Sequence, residues 1–307
     1  MRVLLIAGGW SSEREISLLG ARGIADALRS LGHDVTFFDL LFRFDELLAT
    51  ARQHDVALIN LHGQPGEDGI VQAMLDLVGC PYQGTGPSGS FLALNKAVTK
   101  QILKDAGLPT PAWEFLPQRP GDVWKPRIAF PVFVKSNTGG SSLHLGKAVN
   151  QVELNAILDE IFEAGDAALI EEALSGREIT CGVLGDEALP PIQIEPVRGE
   201  YFNFESKYAK DGAREICPAP LDGKLTAKVQ QLALAAHRAL GLEGVSRSDF
   251  ILGPDGNLNF LEVNTLPGMT PTSLVPKEAM AIGLDFKALV AKLIDLALKK
   301  RSRSHQK

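Results

Sequence analysis

"SRSDFILGPDGNLNFLEVNTLPGM", residues 246–269, holds two apolar runs on either side of a cluster of turn formers. "DFIL" and "LNFLEV" are rich in β-formers, and Pro254-Asp255-Gly256-Asn257 between them reads as a hairpin turn. Folding back across that turn brings Asp249 near Glu262. In an extended strand, residues two apart point to the same face, so Glu262 and Asn264 present their oxygens together. Two carboxylates and an amide oxygen on one sheet face suit Mg²⁺, which takes oxygen ligands and is usually shared with substrate phosphates. Taken alone, the same residues fit a solvated strand edge that runs into an Asn and Pro-Gly turn.

Upstream of the hairpin the pattern changes twice. The first third alternates short apolar strands with amphipathic helices: "RVLLIAG", a helix over residues 12–31, "DVTFFDL", a helix over 43–53, then "DVALINL". That βαβαβ order predicts a parallel, doubly wound sheet, whose substrates bind at the carboxyl ends of the strands. The middle third has a helix near 95–106 and a Pro-rich connector. "FPVFVKS", an acidic helix near 151–163, and the antiparallel-looking strands "AALIEEAL" and "REITCGVLG" follow. The last third adds helices at 222–241 and 285–300. The basic ending "KKRSRSHQK" is expected to be disordered and receives no function.

Composition narrows the partners. Lys plus Arg number 31 against 37 Asp plus Glu, a net charge of −6. That balance gives no electrostatic footprint for nucleic acid or a membrane surface. Cys80, Cys181 and Cys217 lie far apart without a CxxC, so buried thiols in a reducing cytoplasm are expected rather than disulfides or zinc. The start has too short an apolar run for a signal peptide, and no stretch approaches transmembrane length.

Several loops carry polar groups that packing does not demand. In "SSEREISL" Ser12 and Glu15 form an S-x-x-E capping box, while Glu13 fits helix-dipole compensation or a binding role. "HGQPGEDG" leaves His62 at the edge of the third strand. "VFVKSNTGGSS" resembles a phosphate loop without being a Walker A. Its glycines let backbone N–H groups approach phosphate oxygens, Ser141 and Ser142 add donors, and Lys135 adds charge. A Gly-Gly hairpin with a surface lysine explains the stretch equally well. Lys207, Tyr208 and Lys210 fit a solvated loop, and Ser273 fits a cap on the following helix.

In combination and order these stretches resemble the D-alanine:D-alanine ligases of the ATP-grasp superfamily. The matching segments are "GGWSSEREISL", "HGQPGEDGIVQ", "PYQGTG" with "NKAVTK", "VFVKSNTGGSS", "EEALSGREIT", "ESKYAKDG" with "ICPA", "SRSDF" and "LEVNTLPGMTPTSLVPK". They run from about Gly8 to Lys277. The resemblance implies an N-terminal α/β substrate domain (1–95), a central ATP-grasp domain (96–180) and a C-terminal catalytic, metal-binding domain (181–307). It implies a cytoplasmic homodimer that binds D-alanine and ATP and serves peptidoglycan precursor synthesis.

The same resemblance assigns roles. Lys96 and Lys135 would contact the α- and β-phosphates, and Ser142 would belong to the loop closing over them. Glu171, Leu174 and Glu178 would hold adenine and ribose. Asp249, Glu262 and Asn264 would ligate two Mg²⁺ ions, with Mn²⁺ as a substitute. Glu13, Ser141 and Tyr208 would form a trio around the first D-alanine, near His62. Ser273 and Leu274 would receive the second one's carboxylate. Arg247 and the Gly268 N–H would stabilise the oxyanion, and Lys207 would meet the γ-phosphate. The chain departs from the family pattern at Ser136, His144, Glu172 and Phe202. D-Serine or D-lactate as second substrate, and a nucleotide-binding regulator without catalysis, are the rival readings.

Overall fold

A computed structural model of the chain describes residues 1–121, 123–140, 144–197 and 212–304, the last four as backbone only. The first sheet is built from β1 (Arg2–Ala7), β2 (Asp34–Asp39) and β3 (Val56–Asn60), all parallel in the order β2-β1-β3. β1 is buried on both faces. Val3, Leu5 and Ala7 enter one core, while Leu4 and Ile6 enter another. Covering helices on both sides produce that near-continuous apolar run.

Helix α1 (Arg14–Ser30) packs on the first of these faces. Its N-cap is Glu13, with no side-chain capping bond, so the expected Ser12–Glu15 box is not formed. The motif needs its Ser at the cap position, and the helix begins one residue too late for that. The helix expected over 43–53 is broken into α2 (Leu40–Arg43), a 3₁₀ turn (Phe44–Glu46) and α3 (Leu47–Ala51). Asp39 starts this segment early by accepting a hydrogen bond from the Leu41 N–H. Helices α4 (Ile70–Leu77), α5 (Pro87–Leu94) and α6 (Lys96–Asp105) follow, with Asn95 capping α6 through its side chain.

The second sheet is antiparallel: β4 (Trp113–Leu116), β5 (Val132–Ser136), β6 (Leu145–Ala148) and β7 (Ala168–Glu172), ordered β4-β7-β5-β6. Helix α7 (Gln151–Glu163) lays Leu154, Leu158 and Ile161 on Val132, Val134 and Ile170. The third sheet is also antiparallel. It contains β8 (Arg177–Leu184), the short β9 (Glu187–Ala188), β10 (Ile192–Pro196) and β11 (Ala213–Ile216). After helix α8 (Gly223–Ala239) it gains β12 (Val245–Leu252) and β13 (Leu258–Asn264). Its main path is β11-β10-β8-β12-β13. The strands "AALIEEAL" and "REITCGVLG" therefore belong to different sheets, and β8 crosses the expected boundary at 180/181.

Helices α9 (Leu274–Ala281) and α10 (Phe286–Ser304) end the described chain. Leu289, Val290, Leu293, Ile294 and Ala297 of α10 share a core with α1 and β1. The basic ending expected to be disordered is helical to Ser304. Lys300 Nζ is held 2.7 Å from Glu243.

Candidate active site

The hairpin forms as its sequence dictates. Gly253 N–H donates to Asn257 O at 2.8 Å, and Asp255 accepts from the Asn257 N–H at 3.0 Å, which closes the turn. In the ladder, Arg247 stands opposite Asn264 and Asp249 opposite Glu262, with a bulge immediately afterwards. Behind this patch Phe250 and Phe260 pack edge to face, both buried. Asp249 Oδ1 accepts from Thr180 Oγ1 (2.6 Å) and Arg247 Nε (2.9 Å), and Oδ2 accepts from Arg247 Nη2 (2.8 Å). Burial works against the Arg247 charge, but Asp249 and Glu262 outweigh it and keep the guanidinium cationic.

Between the second and third sheets lies a cleft of about 550 Å³. Lys135, Glu171, Leu174 and Glu178 line it, together with Lys96, Arg247, Asp249 and Glu262. Glu171 is almost fully buried and pairs with Lys135 at 2.6 Å and with Lys100. Burial opposes the Lys135 charge, yet Glu171, Glu262 and Asp249 together hold its amine above the ordinary lysine range. For Lys100 burial wins, and its amine is pushed down to about 8. Burial likewise lowers Lys96, against the pull of Glu262.

The glycine loop is anchored at its base. Ser136 Oγ donates to Asp166 and accepts from the Gly139 N–H at 3.0 Å. Asp166 also accepts from the Thr138 N–H and hydroxyl, both at 3.0 Å. Lys96 Nζ donates to Gly139 O, and Asn137 accepts from the Ala97 N–H at 2.9 Å. These bonds pin the loop to the start of α6 and to the turn before β7. A Cβ built on Gly140 would come 3.5 Å from Glu13 Oε2, so the loop reaches the start of α1.

A second chamber of about 370 Å³ lies beyond that loop, at the carboxyl end of the first sheet. Glu13, His62, Asn264, Gly268, Ser273 and Leu274 line it. His62 and Glu67 are 4.0 Å apart in its wall. Burial keeps the His62 imidazole below its ordinary value despite Glu13, and pushes Glu67 up to about 8. Ser273 precedes α9 without a side-chain capping bond; its hydroxyl pairs instead with Thr270 Oγ1 at 2.8 Å. The two chambers share Lys96, Gly139, Gly140, Arg247, Glu262 and Leu274.

The structure thus brings together Lys96, Lys135, Glu171, Leu174, Glu178, Asp249 and Glu262 in one chamber. Asn264 falls in the other, beside Glu13, His62, Gly268, Ser273 and Leu274. Ser141, Ser142, Lys207 and Tyr208 lie outside the described residues, as does Phe202. Sequence reasoning passed over Lys100, Asp166, Glu67 and Glu278. Glu278 is wholly buried and accepts from the Gly182 N–H, and burial raises its carboxyl to about 8. The acidic "GED" in a glycine loop could have signalled Glu67. Nothing local distinguishes the other three.

Comparison with known proteins identifies the family. The family model described as "D-ala D-ala ligase C-terminus" matches residues 102–295. A D-alanine–D-alanine ligase from Desulfovibrio desulfuricans is 65% identical over 298 residues, covering 97% of each chain. One from Nitratidesulfovibrio vulgaris is 61% identical, covering 97% of this chain and 98% of its own. The crystal structure of the Bacillus anthracis D-alanine–D-alanine ligase complexed with ATP superposes with a TM-score of 0.88. It is 32% identical and covers 99% of both chains. With its parallel sheet ahead of the two antiparallel sheets of an ATP-grasp fold, the chain belongs to the D-alanine–D-alanine ligase family.

Proposed function

We propose that the protein joins two D-alanines to D-alanyl-D-alanine, with ATP converted to ADP and phosphate. One observation carries the reading: the larger cleft, with Lys96, Lys135 and Arg247 in its wall, and the smaller polar chamber meet at Lys96, Arg247 and Glu262. A nucleotide in the first would place its terminal phosphate beside an amino acid in the second. The carboxylate of one D-alanine attacks the γ-phosphorus, giving an acyl phosphate and ADP. The amine of the second then attacks the carbonyl, and phosphate leaves through a tetrahedral intermediate. This supports a role for the ligase in supplying peptidoglycan precursors from the cytoplasm.

The residue roles are those that the family resemblance gives, and the lining of the two chambers is compatible with them. Lys96 and Lys135 hold phosphate oxygens, and Glu171, Leu174 and Glu178 hold the nucleoside. Arg247 and the Gly268 N–H stabilise the oxyanion. Glu13 binds the first ammonium near His62, and Ser273 with Leu274 receives the second carboxylate. Ser141, Ser142, Lys207 and Tyr208 take the roles that family resemblance gives them. Tyr208 favours an amine acceptor over D-lactate.

The donor set fits Mg²⁺. Glu262 and Asn264 offer hard oxygens on neighbouring positions of one face, and three of the four lone-pair sites of Asp249 are taken, leaving one on Oδ2. Mg²⁺ held there by Asp249, Glu262 and Asn264 would supply charge neutralisation to the substrate's phosphates. We further assign a homodimer, testable by sedimentation. We also draw the boundary between the central and C-terminal units, expected at 180/181, in residues 173–176, because the chain passes there from β7 to β8. No helix among the described residues is long and apolar enough to cross a membrane.

The test is ADP release with single D-amino acids and with pairs of them, the product identified by mass spectrometry. D-Alanyl-D-alanine as the main product is expected. Nucleotide binding with neither ADP release nor a dipeptide would support the regulator reading, and a mixed product with D-serine or D-lactate would redefine the second site.

A further inference from the structure

Lys100 sits four residues after Lys96 on α6, and its side chain has no exposure to solvent. Its Nζ meets the Glu171 carboxylate and donates to Phe260 O at 3.3 Å. One lysine thereby ties α6 to β7 of the second sheet and β13 of the third. The other oxygen of Glu171 pairs with Lys135 at 2.6 Å. Two ammonium groups share one carboxylate, and they differ in access. Lys135 lines the nucleotide cleft, whereas Lys100 stands behind its wall.

The charge balance has a consequence for phosphate binding. An arriving phosphate attracts Lys135, and any movement of that amine towards it weakens the pair with Glu171. A buried carboxylate stripped of its partner is costly, because neither water nor another cation replaces the lost charge. Lys100 cannot follow the phosphate, since its stem is enclosed and its amine is held on both Glu171 and Phe260 O. It therefore keeps Glu171 compensated whichever way Lys135 points.

We infer that Lys100 is a positioning residue for nucleotide binding: it holds the charge of Glu171 so that Lys135 is free to engage phosphate. The inference rests on the cleft being the nucleotide site. Without Lys100, Glu171 would retain Lys135 and compete with the nucleotide for it. The loss would fall on phosphate-bearing ligands and spare the nucleoside.

The experiment compares full-length parent, Lys100→Met and Lys100→Arg for binding of ADP and of adenosine by calorimetry. Steady-state ATP kinetics accompany the binding data. In Lys100→Met, Kd for ADP should rise about tenfold or more while Kd for adenosine stays within about twofold, the scale expected when one partner of a buried charge cluster is deleted. KM for ATP should rise with kcat little changed, and Lys100→Arg should restore ADP binding. Equal weakening of ADP and adenosine would overturn the inference in favour of a role in cleft shape, and so would no weakening of either. Should the parent bind neither ligand, the nucleotide reading of the cleft itself would fail. If Lys100→Met does not fold, ¹⁵N-lysine NMR of the parent decides. On ADP addition the Lys135 ammonium signal should move and the Lys100 signal stay, and a matching shift of Lys100 would overturn the inference.

Discussion

Asp249 faces Glu262 directly across the β12–β13 ladder, and one step along it Arg247 faces Asn264. Two strands with their functional residues two apart thus make a square patch of four polar groups on one sheet face. Its position at the junction of both chambers puts a guanidinium, two carboxylates and an amide where nucleotide and amino acid would meet. The bulge after Asp249 ends the square and lets Phe250 and Phe260 pair in the core beneath it.

Replacing Glu262 by Gln is expected to abolish ligation while the fold persists. The amide keeps the shape but removes a charge that faces Lys96, Lys135 and Arg247 and that would hold divalent cations. A fall in kcat of about a hundredfold or more is expected, equivalent to roughly 2.7 kcal/mol. Near-parental turnover at saturating Mg²⁺ would remove Glu262 from the metal site.

Ser136 links Asp166 to the glycine loop, so Ser136→Ala should loosen that loop without disturbing the sheet. Loss of such hydrogen bonds costs about 0.5–1.5 kcal/mol when the partners find water, or roughly a two- to tenfold fall in kcat/KM for ATP. Asp166→Ala removes the acceptor for Ser136 and both Thr138 donors and should be worse. Parental ATP kinetics in both variants would show that the anchor does not govern nucleotide capture.

His237 is buried against Ser246, 2.7 Å from its hydroxyl, and burial depresses its imidazole from 6.5 to about 4. Between those values the unfolded chain binds a proton that the folded one refuses. Its contribution is therefore intact above pH 6.5 and is lost as pH falls towards 4. His237→Gln should flatten that acid-side loss, seen as a Tm gap between variant and parent that closes or reverses on acidification. A constant gap over the same range would rule out His237 as the source.

A methyl group on Gly182 would come 2.3 Å from Glu278 Oε2. Both carboxylate oxygens are bonded to the Gly182 N–H within a closed core. Gly182→Ala should destabilise the protein by about 1–3 kcal/mol, the usual scale for overpacking a core. Denaturant unfolding measures this, and an unchanged midpoint would mean that Glu278 swings aside freely.

Much of the site was legible because its residues lie close in sequence or at strand ends. That Asp249 comes near Glu262 follows from folding back across the Pro254–Asn257 turn, although straight counting pairs it with Leu261 and only the bulge after Asp249 sets it opposite Glu262. The glycine loop after Lys135 is visible as composition. Lys100 was not legible. A lysine one turn after another on an amphipathic helix is ordinarily solvated, and only packing between Glu171 and Phe260 makes it a buried charge. Asp166 is similarly silent, since it meets Ser136 across 30 residues of chain. The Ser12–Glu15 motif misled for a local reason: the first turn of α1 starts after Glu13, so the pattern was present and the position was wrong.

The packing of α10 against α1 and β3 also constrains synthesis on the ribosome. An early helix and strand need a much later helix to cover one side of their layer. Until Leu289 to Ala297 have emerged from the exit tunnel, the Val56 and Leu58 side of the nascent sheet and the α1 helix beside it lack part of their cover, and domain-by-domain folding from the N-terminus cannot be completed in order. Any shortened version that stops before Phe286 should expose that apolar strand face to chaperones or to aggregation, whatever the state of the catalytic chambers.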